Sequence, residues 1–283
     1  MNRQQLVYQI KNKKNYLCVG LDTDRAKLPT HLHDHPNGVF EFNKAIIDAT
    51  KDLCVSYKIN TAFYEAMGVK GWEAIEQTVG YIPSTHLKIA DAKRGDIGNT
   101  SAQYAKTFFE VYQFDAVTVA PYMGEDSVRP FLDYNGKWTI VLGLTSNKGS
   151  QDFQQSIVRS AEETFAEKRT KEDHHQQQYL YEKVMQKISE WGTPENLMFV
   201  VGATKAAQFE GIRKKFPDHF FLVPGVGAQG GSLGDVSTAA LNIDAGILVN
   251  VSRAIIYAGK DEQFAEQARI IAKQYSDEMK QYL

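Results

Sequence analysis

Eight short apolar runs, separated by stretches with helical periodicity, are the feature that most constrains the fold of this chain. The runs span residues 17–22, 55–60, 86–93, 116–122, 138–146, 198–204, 220–227 and 246–253. Amphipathic stretches lie between them at 39–53, 65–78, 97–113, 179–191, 205–216 and 261–280. Short apolar runs are typical of buried strands, and their alternation with helices is typical of a parallel sheet. Eight strand–helix units predict a single-domain α/β protein with a (β/α)8 barrel, and a doubly wound open sheet is the alternative.

Composition narrows the class of protein and its partners. Of the 283 residues, 43% are hydrophobic and 23% are charged, which is ordinary for a soluble globular protein. The net charge of −2 offers no basic excess, so we expect neither a nucleic acid nor a membrane surface as partner. The first residues lack the apolar region of a signal peptide, and no apolar run is long enough to span a membrane. We therefore expect a cytoplasmic protein, and the composition leaves an anionic small molecule open as its partner, because a few local cations suffice to bind one.

The two cysteines and two polar segments carry weaker signals. Cys18 and Cys54 lie in apolar stretches, which favours buried free thiols over a disulfide or a metal site. Residues 31–36 contain three histidines, His31, His33 and His35, in a segment that predicts a solvated loop, with a metal site as the alternative. Residues 150–178 exceed a minimal barrel and are rich in charge and glutamine, so they predict an exposed helix or a mobile insertion.

The run from Asp91 to Ser101 follows the third apolar run and carries the densest chemistry. Residues two apart on a strand point the same way, so Asp91 and Lys93 are expected to project together from the strand's end. Asp96 then stands where the next helix should begin, as the N-cap of residues 97–113. Alternating charges at the end of a buried strand indicate a functional site, and a structural ion pair with a cap is the alternative.

Other chemically useful residues also stand at strand ends. Asp22 ends the first run, Lys58 lies in the second, Ser146 ends the fifth, and Arg253 ends the eighth. In a barrel the carboxyl ends of all strands meet at one face, which is where such enzymes place their active sites. Several ionisable groups that converge on one opening indicate catalysis more strongly than any one of them alone.

Residues 224–231 form a glycine-rich turn after the seventh run. The segment from Gly225 to Gly230 matches the dinucleotide pattern G-x-G-x-x-G, but it comes late in the chain, further glycines follow, and the next run carries Asn250 where a ribose-binding acid is required. Glycine-rich turns and the strand seven to eight region of barrels both suit phosphate. We expect Gln229 and Arg253 to contribute there, and a simple tight turn is the alternative.

The motifs, taken in order, resemble those of the orotidine 5′-phosphate decarboxylase family over nearly the whole chain. The resemblance rests on the Leu-Asp pair ending at Asp22, Lys58, the Asp-x-Lys-x-x-Asp-Ile-x-x-Thr run from Asp91 to Thr100, Ser146, the Pro-Gly-Val-Gly-Ala-Gln run from Pro224 to Gln229, and Arg253. The residues of the central run, from Asp91 to Thr100, and the chain length are similar to those of the longer bacterial subgroup.

The resemblance implies decarboxylation of orotidine 5′-phosphate to UMP, the last step of de novo pyrimidine synthesis, with no metal, cofactor or covalent intermediate. It implies catalytic roles for Lys93, Asp91, Asp96 and Lys58. It implies substrate contacts from Asp22, Lys58, Thr100, Ser146, Pro224, Gln229, Gly230 and Arg253. It also implies a homodimer with shared active sites, in which Asp96 and Thr100 reach the partner subunit's pocket.

Two alternative functions remain open from the sequence. Related barrels that decarboxylate or cleave sugar phosphates also carry an Asp-x-Lys-x-x-Asp run, but they use a magnesium ion. A catalytically silent nucleotide-binding module is the other alternative, and the intact set of lysines and carboxylates disfavours it. A turnover assay with and without a chelator separates the three functions.

Overall fold

Eight parallel strands close into a barrel in the computed structural model, which describes residues 1–158, 178–227 and 230–283. The barrel strands are β1 (Leu17–Gly20), β2 (Ser56–Asn60), β3 (Leu87–Arg94), β4 (Ala116–Val119), β5 (Trp138–Leu144), β8 (Leu197–Val201), β9 (Phe220–Pro224) and β10 (Ile247–Val251). Two further strands of two residues each, β6 (Ile157–Val158) and β7 (Gln178–Tyr179), pair antiparallel beside it. The strand order β1-β2-β3-β4-β5-β8-β9-β10 closes by pairing β10 with β1. The predicted (β/α)8 barrel is confirmed, and the open-sheet alternative is wrong.

Helices follow the barrel strands and cover the outside of the sheet. The α-helices of the described residues are Arg3–Lys13, Thr30–His33, Gly38–Thr50, Thr61–Glu65, Val69–Tyr81, Gly98–Lys106, Glu125–Leu132, Leu180–Ser189, Ala206–Lys215, Leu233–Ala240, Arg253–Ile256 and Phe264–Met279. A π-helical turn, Thr107–Val111, extends the sixth, and short 3-10 helices lie at Arg25–Lys27, Lys148–Gln151 and Ala203–Lys205. None of these helices is long and apolar enough to cross a bilayer.

The ends of several elements differ from the prediction. The fourth strand ends at Val119 and the fifth at Leu144, because the apolar runs continue into the loops at the carboxyl face of the barrel. The helix Arg3–Lys13 was not predicted; a capping box between Asn2 and Gln5 starts it, and its apolar positions are few. The helix predicted at 97–113 begins at Gly98 instead.

Asp96 is not the N-cap of that helix, and this prediction is wrong. Ile97 occupies the N-cap position and makes no side-chain capping bond, while the Asp96 carboxylate accepts a hydrogen bond from the adjacent Ile97 amide at 2.7 Å. A capping side chain must reach the amide two or three residues further on, and Asp96 stands one residue too early to do so.

The weaker sequence signals have mixed outcomes. Cys18 and Cys54 are buried free thiols, as predicted. His31 and His33 lie on the one-turn helix Thr30–His33 rather than in a loop, and both are exposed. Within the described ranges, no three His, Cys, Asp or Glu side chains are grouped so that they could hold a metal ion. Most of the insertion predicted at 150–178 lies outside the described residues, so that prediction stays untested.

The inner surface of the barrel is almost entirely apolar below its carboxyl end. Inward-facing strand residues such as Ile89, Ala116 and Ile140 are fully buried, and the large side chain of Trp138 is buried in the same core. Lys58 stands out there, because it is a charged residue in the middle of β2 that is only 3% exposed. A buried ammonium is costly unless carboxylates compensate it, so the position of Lys58 indicates where acidic groups must lie.

Candidate active site

The carboxyl ends of the barrel strands surround a pocket of about 310 Å³. Its lining includes most of the side chains that the sequence singled out. They are Asp22, Lys58, Asp91, Lys93, Ser146, Pro224, Gly225, Asn250 and Arg253. These residues come from six different barrel strands or the loops that follow them, and the closed sheet is what brings them together. The prediction that the ionisable groups converge on one opening is confirmed.

Four charged side chains form one connected network at the base of this pocket. The Lys58 ammonium lies 2.8 Å from Asp91 Oδ2 and 3.3 Å from Asp22 Oδ1. The Lys93 ammonium lies 2.6 Å from Asp91 Oδ1. The side chains of Lys58 and Asp91 are 4% and 11% exposed, whereas that of Lys93 is 51% exposed. One carboxylate oxygen of Asp91 therefore contacts the buried Lys58 ammonium, and the other contacts the Lys93 ammonium, which faces the open pocket.

The network fixes the protonation states of its buried members. Burial alone would raise the pKa of the Asp91 carboxyl, but the charges of Lys58 and Lys93 outweigh burial and hold this pKa well below its usual range. Burial alone would lower the pKa of Lys58, but Asp91 and Asp22 outweigh it and raise this pKa above the ordinary value for lysine. Both groups are therefore charged near neutral pH. Within this network two carboxylates and two ammonium groups balance each other.

Strand register explains why these side chains meet. Lys58 pairs with Gly20 across β1 and β2, and Asn60 pairs with Asp91 across β2 and β3, so the acidic and basic residues lie in adjacent rows of the sheet. Gly20 is required at its position because an added Cβ would lie 1.9 Å from the Ser252 hydroxyl. The absence of a side chain there lets β1 and the end of β10 approach closely beside Asp22.

Two tyrosines that the sequence analysis missed hold the loop that carries Asp22. The Tyr257 hydroxyl accepts a hydrogen bond from the Asp24 amide at 2.7 Å and donates one to the Asp22 carbonyl at 3.1 Å. The Tyr64 hydroxyl donates to the Leu21 carbonyl at 2.9 Å. Burial raises the pKa of Tyr257 to about 12, so its hydroxyl is protonated at neutral pH and keeps both of its hydrogen bonds to the Asp22 loop. No sequence signal marks these tyrosines, because their partners are backbone groups far away in the chain.

Ser146 lies at the pocket edge and depends on close packing by the neighbouring strand end. A Cβ added to Gly202 would lie 2.6 Å from the Ser146 amide nitrogen, so glycine lets β8 reach the end of β5. Thr204 Oγ1 donates to the Ser146 carbonyl at 3.3 Å. Gln154 Oε1 accepts from the Thr145 amide at 2.8 Å and so holds the residue before Ser146. Gly202 and Gln154 were also missed by the sequence analysis.

The glycine-rich turn after β9 is folded on itself. Gly225, Gly227 and Gly230 have φ values of 101°, 72° and 85°, which explains the choice of glycine. The amides of Gly227 and Gly231 donate to the carbonyls of Gly231 and Gly225, and the Gly230 amide donates to Gly227. The amides of Gly227, Gly230 and Gly231 are therefore engaged within the turn itself. Pro224 and Arg253 line the pocket and Gly230 does not.

Besides Gly230, three of the predicted site residues are not part of this pocket as described. Asp96 and Thr100 do not line it, and Thr100 is exposed on the helix Gly98–Lys106. Gln229 lies outside the described residues, so its predicted role in phosphate binding stays a prediction. The pocket within one chain thus holds the charge network, Ser146 and Arg253.

A sequence profile of the orotidine 5′-phosphate decarboxylase / HUMPS family matches residues 15–268. The orotidine 5′-phosphate decarboxylase of Bacteroides fragilis is 56% identical to this chain over 286 aligned positions, which cover all of this chain and 98% of the relative. This relationship extends over the full barrel and every described strand.

Solved structures give the same result. Leishmania donovani OMP decarboxylase superposes with a TM-score of 0.82 and 34% identity, covering 100% of this chain and 99% of that one. Leishmania donovani UMP synthase also superposes with a TM-score of 0.82, at 36% identity, and this chain spans 55% of that longer protein.

Proposed function

This chain belongs to the orotidine 5′-phosphate decarboxylase / HUMPS family, and from that membership we infer that it decarboxylates orotidine 5′-phosphate to UMP and carbon dioxide. It is a carboxy-lyase of pyrimidine biosynthesis. The observation that carries a mechanism is the network in which Lys93 pairs with Asp91, and Asp91 with the buried Lys58. Such an array presents a fixed cation to the open pocket without any change of structure.

The chemical problem is the carbanion that forms at C6 of the pyrimidine ring. When the bond from C6 to the carboxylate breaks, its electron pair stays on C6, where no adjacent π-system spreads the charge. In the proposed mechanism the Lys93 ammonium stabilises this pair and then transfers one of its protons to C6, which gives UMP. Lys93 recovers its proton from solvent, which its half-exposed side chain can reach.

The other members of the network bind and orient. Asp91 holds Lys93 in place, since its Oδ1 is 2.6 Å from the lysine nitrogen. In the proposed mechanism the Asp91 carboxylate also lies beside the departing carboxylate of the substrate. Lys58 and Asp22 bind the ribose hydroxyls from the base of the pocket, where they lie 3.3 Å apart. Ser146 recognises the polar edge of the pyrimidine from the end of β5.

The 5′-phosphate is assigned to the side of the pocket formed by the ends of β9 and β10. Arg253 supplies a guanidinium there, and a guanidinium matches the geometry of phosphate oxygens with two parallel hydrogen bonds. Pro224, Gly230 and Gln229 belong to the adjoining turn and are proposed to complete this contact. Binding energy from the phosphate, remote from C6, helps to exclude water from the pocket during reaction.

We propose further that the active enzyme is a cytoplasmic homodimer with shared sites. Asp96 and Thr100 follow β3 directly but do not line the pocket of their own chain, which supports a role in the partner subunit's pocket. Mixing inactive Lys93→Ala and Asp96→Asn subunits tests this. Shared sites predict that the mixture regains up to about a quarter of parental activity, because a mixed dimer has one intact site. A mixture that stays inactive contradicts sharing.

The function is tested by the loss of orotidine 5′-phosphate absorbance on addition of purified protein, with and without EDTA. Parental turnover that EDTA does not change supports the proposal, whereas activity only on a pentulose or hexulose phosphate with magnesium supports the alternative enzymes. Lys93→Ala is expected to lose at least about a hundredfold in kcat while retaining UMP binding. Lys70→Ala is the matched control, because Lys70 is an exposed lysine paired with Glu73 outside the pocket. A Lys93→Ala rate above about 1% of the parent would remove Lys93 from its role.

A further inference from the structure

The end of β3 carries a bulge at the point where it delivers Asp91 and Lys93 to the pocket. Ala90 pairs with Val117 of β4, but the next pair joins Arg94 with Val119, so four steps along β3 match two steps along β4. Bulges of this kind redirect a side chain and are frequent beside active sites. The charged residues 91 and 93 both fall within this bulge.

Lys93 has a left-handed backbone conformation in the bulge, with a φ of 46°. A side chain with a Cβ rarely adopts this region, because the Cβ approaches the backbone carbonyl oxygen. Such a conformation persists only where surrounding contacts enforce it. The described contacts of the Lys93 backbone therefore matter for the direction of its side chain.

Thr118, on β4 opposite the bulge, supplies such a contact. Its hydroxyl oxygen accepts a hydrogen bond from the Lys93 amide at 2.9 Å, and the same hydroxyl donates to Asp91 Oδ1 at 3.1 Å. The Lys93 amide can only donate and the Asp91 carboxylate can only accept, so the single proton of the Thr118 hydroxyl must point toward Asp91. Thr118 is 1% exposed, so water does not replace either bond.

We propose that Thr118 is a positioning residue whose hydroxyl holds the bulged end of β3 so that Lys93 and Asp91 face the reacting carbon. The proposal rests on the function proposed above and adds a residue that does not line the pocket. The Thr118 hydroxyl links the Lys93 amide to Asp91 Oδ1, which is the same oxygen that the Lys93 ammonium contacts. The backbone and the side chain of Lys93 are therefore both held through Asp91 Oδ1.

The test compares three replacements of Thr118 with one matched control. Thr118→Val keeps the shape and removes the hydroxyl, whereas Thr118→Ser keeps the hydroxyl and Thr118→Ala removes it at nearly the size of serine. Thr139→Val is the control, because Thr139 lies on β5, is 1% exposed, and its hydroxyl has no hydrogen-bond partner in the described part of the chain. For each variant kcat, KM, the UMP dissociation constant and the unfolding transition are measured.

We expect Thr118→Val to lower kcat at least about fivefold, with KM and the UMP dissociation constant changed less than about threefold, because misplacing a catalytic group costs rate rather than binding. Thr118→Ser should retain most of the parental kcat, and Thr139→Val all of it. If the valine variant does not fold, the serine and alanine pair decides by the same fivefold criterion. A smaller loss of kcat, a loss carried by KM alone, or serine as impaired as alanine would overturn the proposal.

The assays distinguish a failure of the positioning role of Thr118 from a failure of the proposed function. A parental protein that leaves orotidine 5′-phosphate unchanged contradicts the function, whereas an active parental protein whose kcat is indifferent to the Thr118 hydroxyl contradicts only the positioning role. The parental assay is therefore run first, in the same preparation as the variants.

Discussion

The buried ion pair between Lys58 and Asp91 makes a quantitative prediction about stability. The two side chains are 2.8 Å apart and are 4% and 11% exposed, so removing one leaves the other charged and poorly hydrated. Breaking a buried pair in this way costs about 3–5 kcal/mol in the free energy of unfolding. We expect Lys58→Met and Asp91→Asn each to lose an amount in this range.

Charge balance predicts that the double variant recovers much of the loss. In the parent, the charges of Asp22, Lys58, Asp91 and Lys93 cancel, and each single replacement leaves one unit unbalanced. The double variant retains Asp22 and Lys93, which are again balanced. Its loss should therefore be smaller than the combined losses of the single variants by about 2 kcal/mol or more, within the range of coupling energies between contacting residues.

Urea unfolding followed by tryptophan fluorescence measures all four proteins, since Trp138 lies in the barrel core. The control cycle replaces Lys70 and Glu73, which lie at the same 2.8 Å but are 75% and 48% exposed, and its coupling should stay below about 0.5 kcal/mol. The coupling of the buried pair should also persist from pH 8 to pH 5, because the pKa of Asp91 is held well below its usual range. Additivity of the buried pair within about 0.5 kcal/mol would refute the reasoning.

Three further perturbations have defined outcomes. Arg253→Ala should raise KM for orotidine 5′-phosphate about tenfold to a hundredfold through loss of a charged hydrogen bond, and leave turnover of phosphate-free orotidine unchanged; an unchanged KM contradicts the phosphate assignment. Tyr257→Phe should raise KM and the UMP dissociation constant about fivefold, because the loop of Asp22 loses two hydrogen bonds, and equal constants would show that the loop holds itself. Burial, and after it the charge of Arg213, lowers the pKa of His219 in the folded protein to about 4. As the pH falls below about 6.5, His219 therefore becomes protonated in the unfolded chain but not in the folded one, and the free energy of unfolding decreases between about pH 6.5 and pH 4. His219→Phe should remove up to about 3 kcal/mol of that pH dependence in urea unfolding, and an unaltered slope would assign it to other groups.

The sequence was sufficient for the architecture and for most of the charged residues of the site. Eight apolar runs specify the barrel strands because each strand is buried on both faces and needs an unbroken apolar segment. Lys58 stands out because a lysine inside such a segment requires carboxylates nearby. Asp91 and Lys93 stand out because strand periodicity places them on one side.

The remaining site residues depend on contacts that no local pattern encodes. Thr118 looks like any β-branched strand residue, and only the bulge in β3 brings the Lys93 amide to its hydroxyl. Tyr257 reaches the Asp22 loop because the barrel closes, not because of its neighbours in the chain. The cap at Asp96 was misassigned because the helix begins one residue later than the pattern indicates, with Ile97 at the N-cap position.

Closure of the barrel joins residues from opposite ends of the polypeptide. β1 pairs with β10, and Tyr257 fastens the loop of Asp22, which was synthesised more than two hundred residues earlier. During translation the early segments therefore wait without their final neighbours until the last strand and its helix leave the ribosome. A chain that stops before β10 has the lysines and carboxylates but lacks the pairing of β1 with β10 and the Tyr257 contact, so we expect it to be inactive.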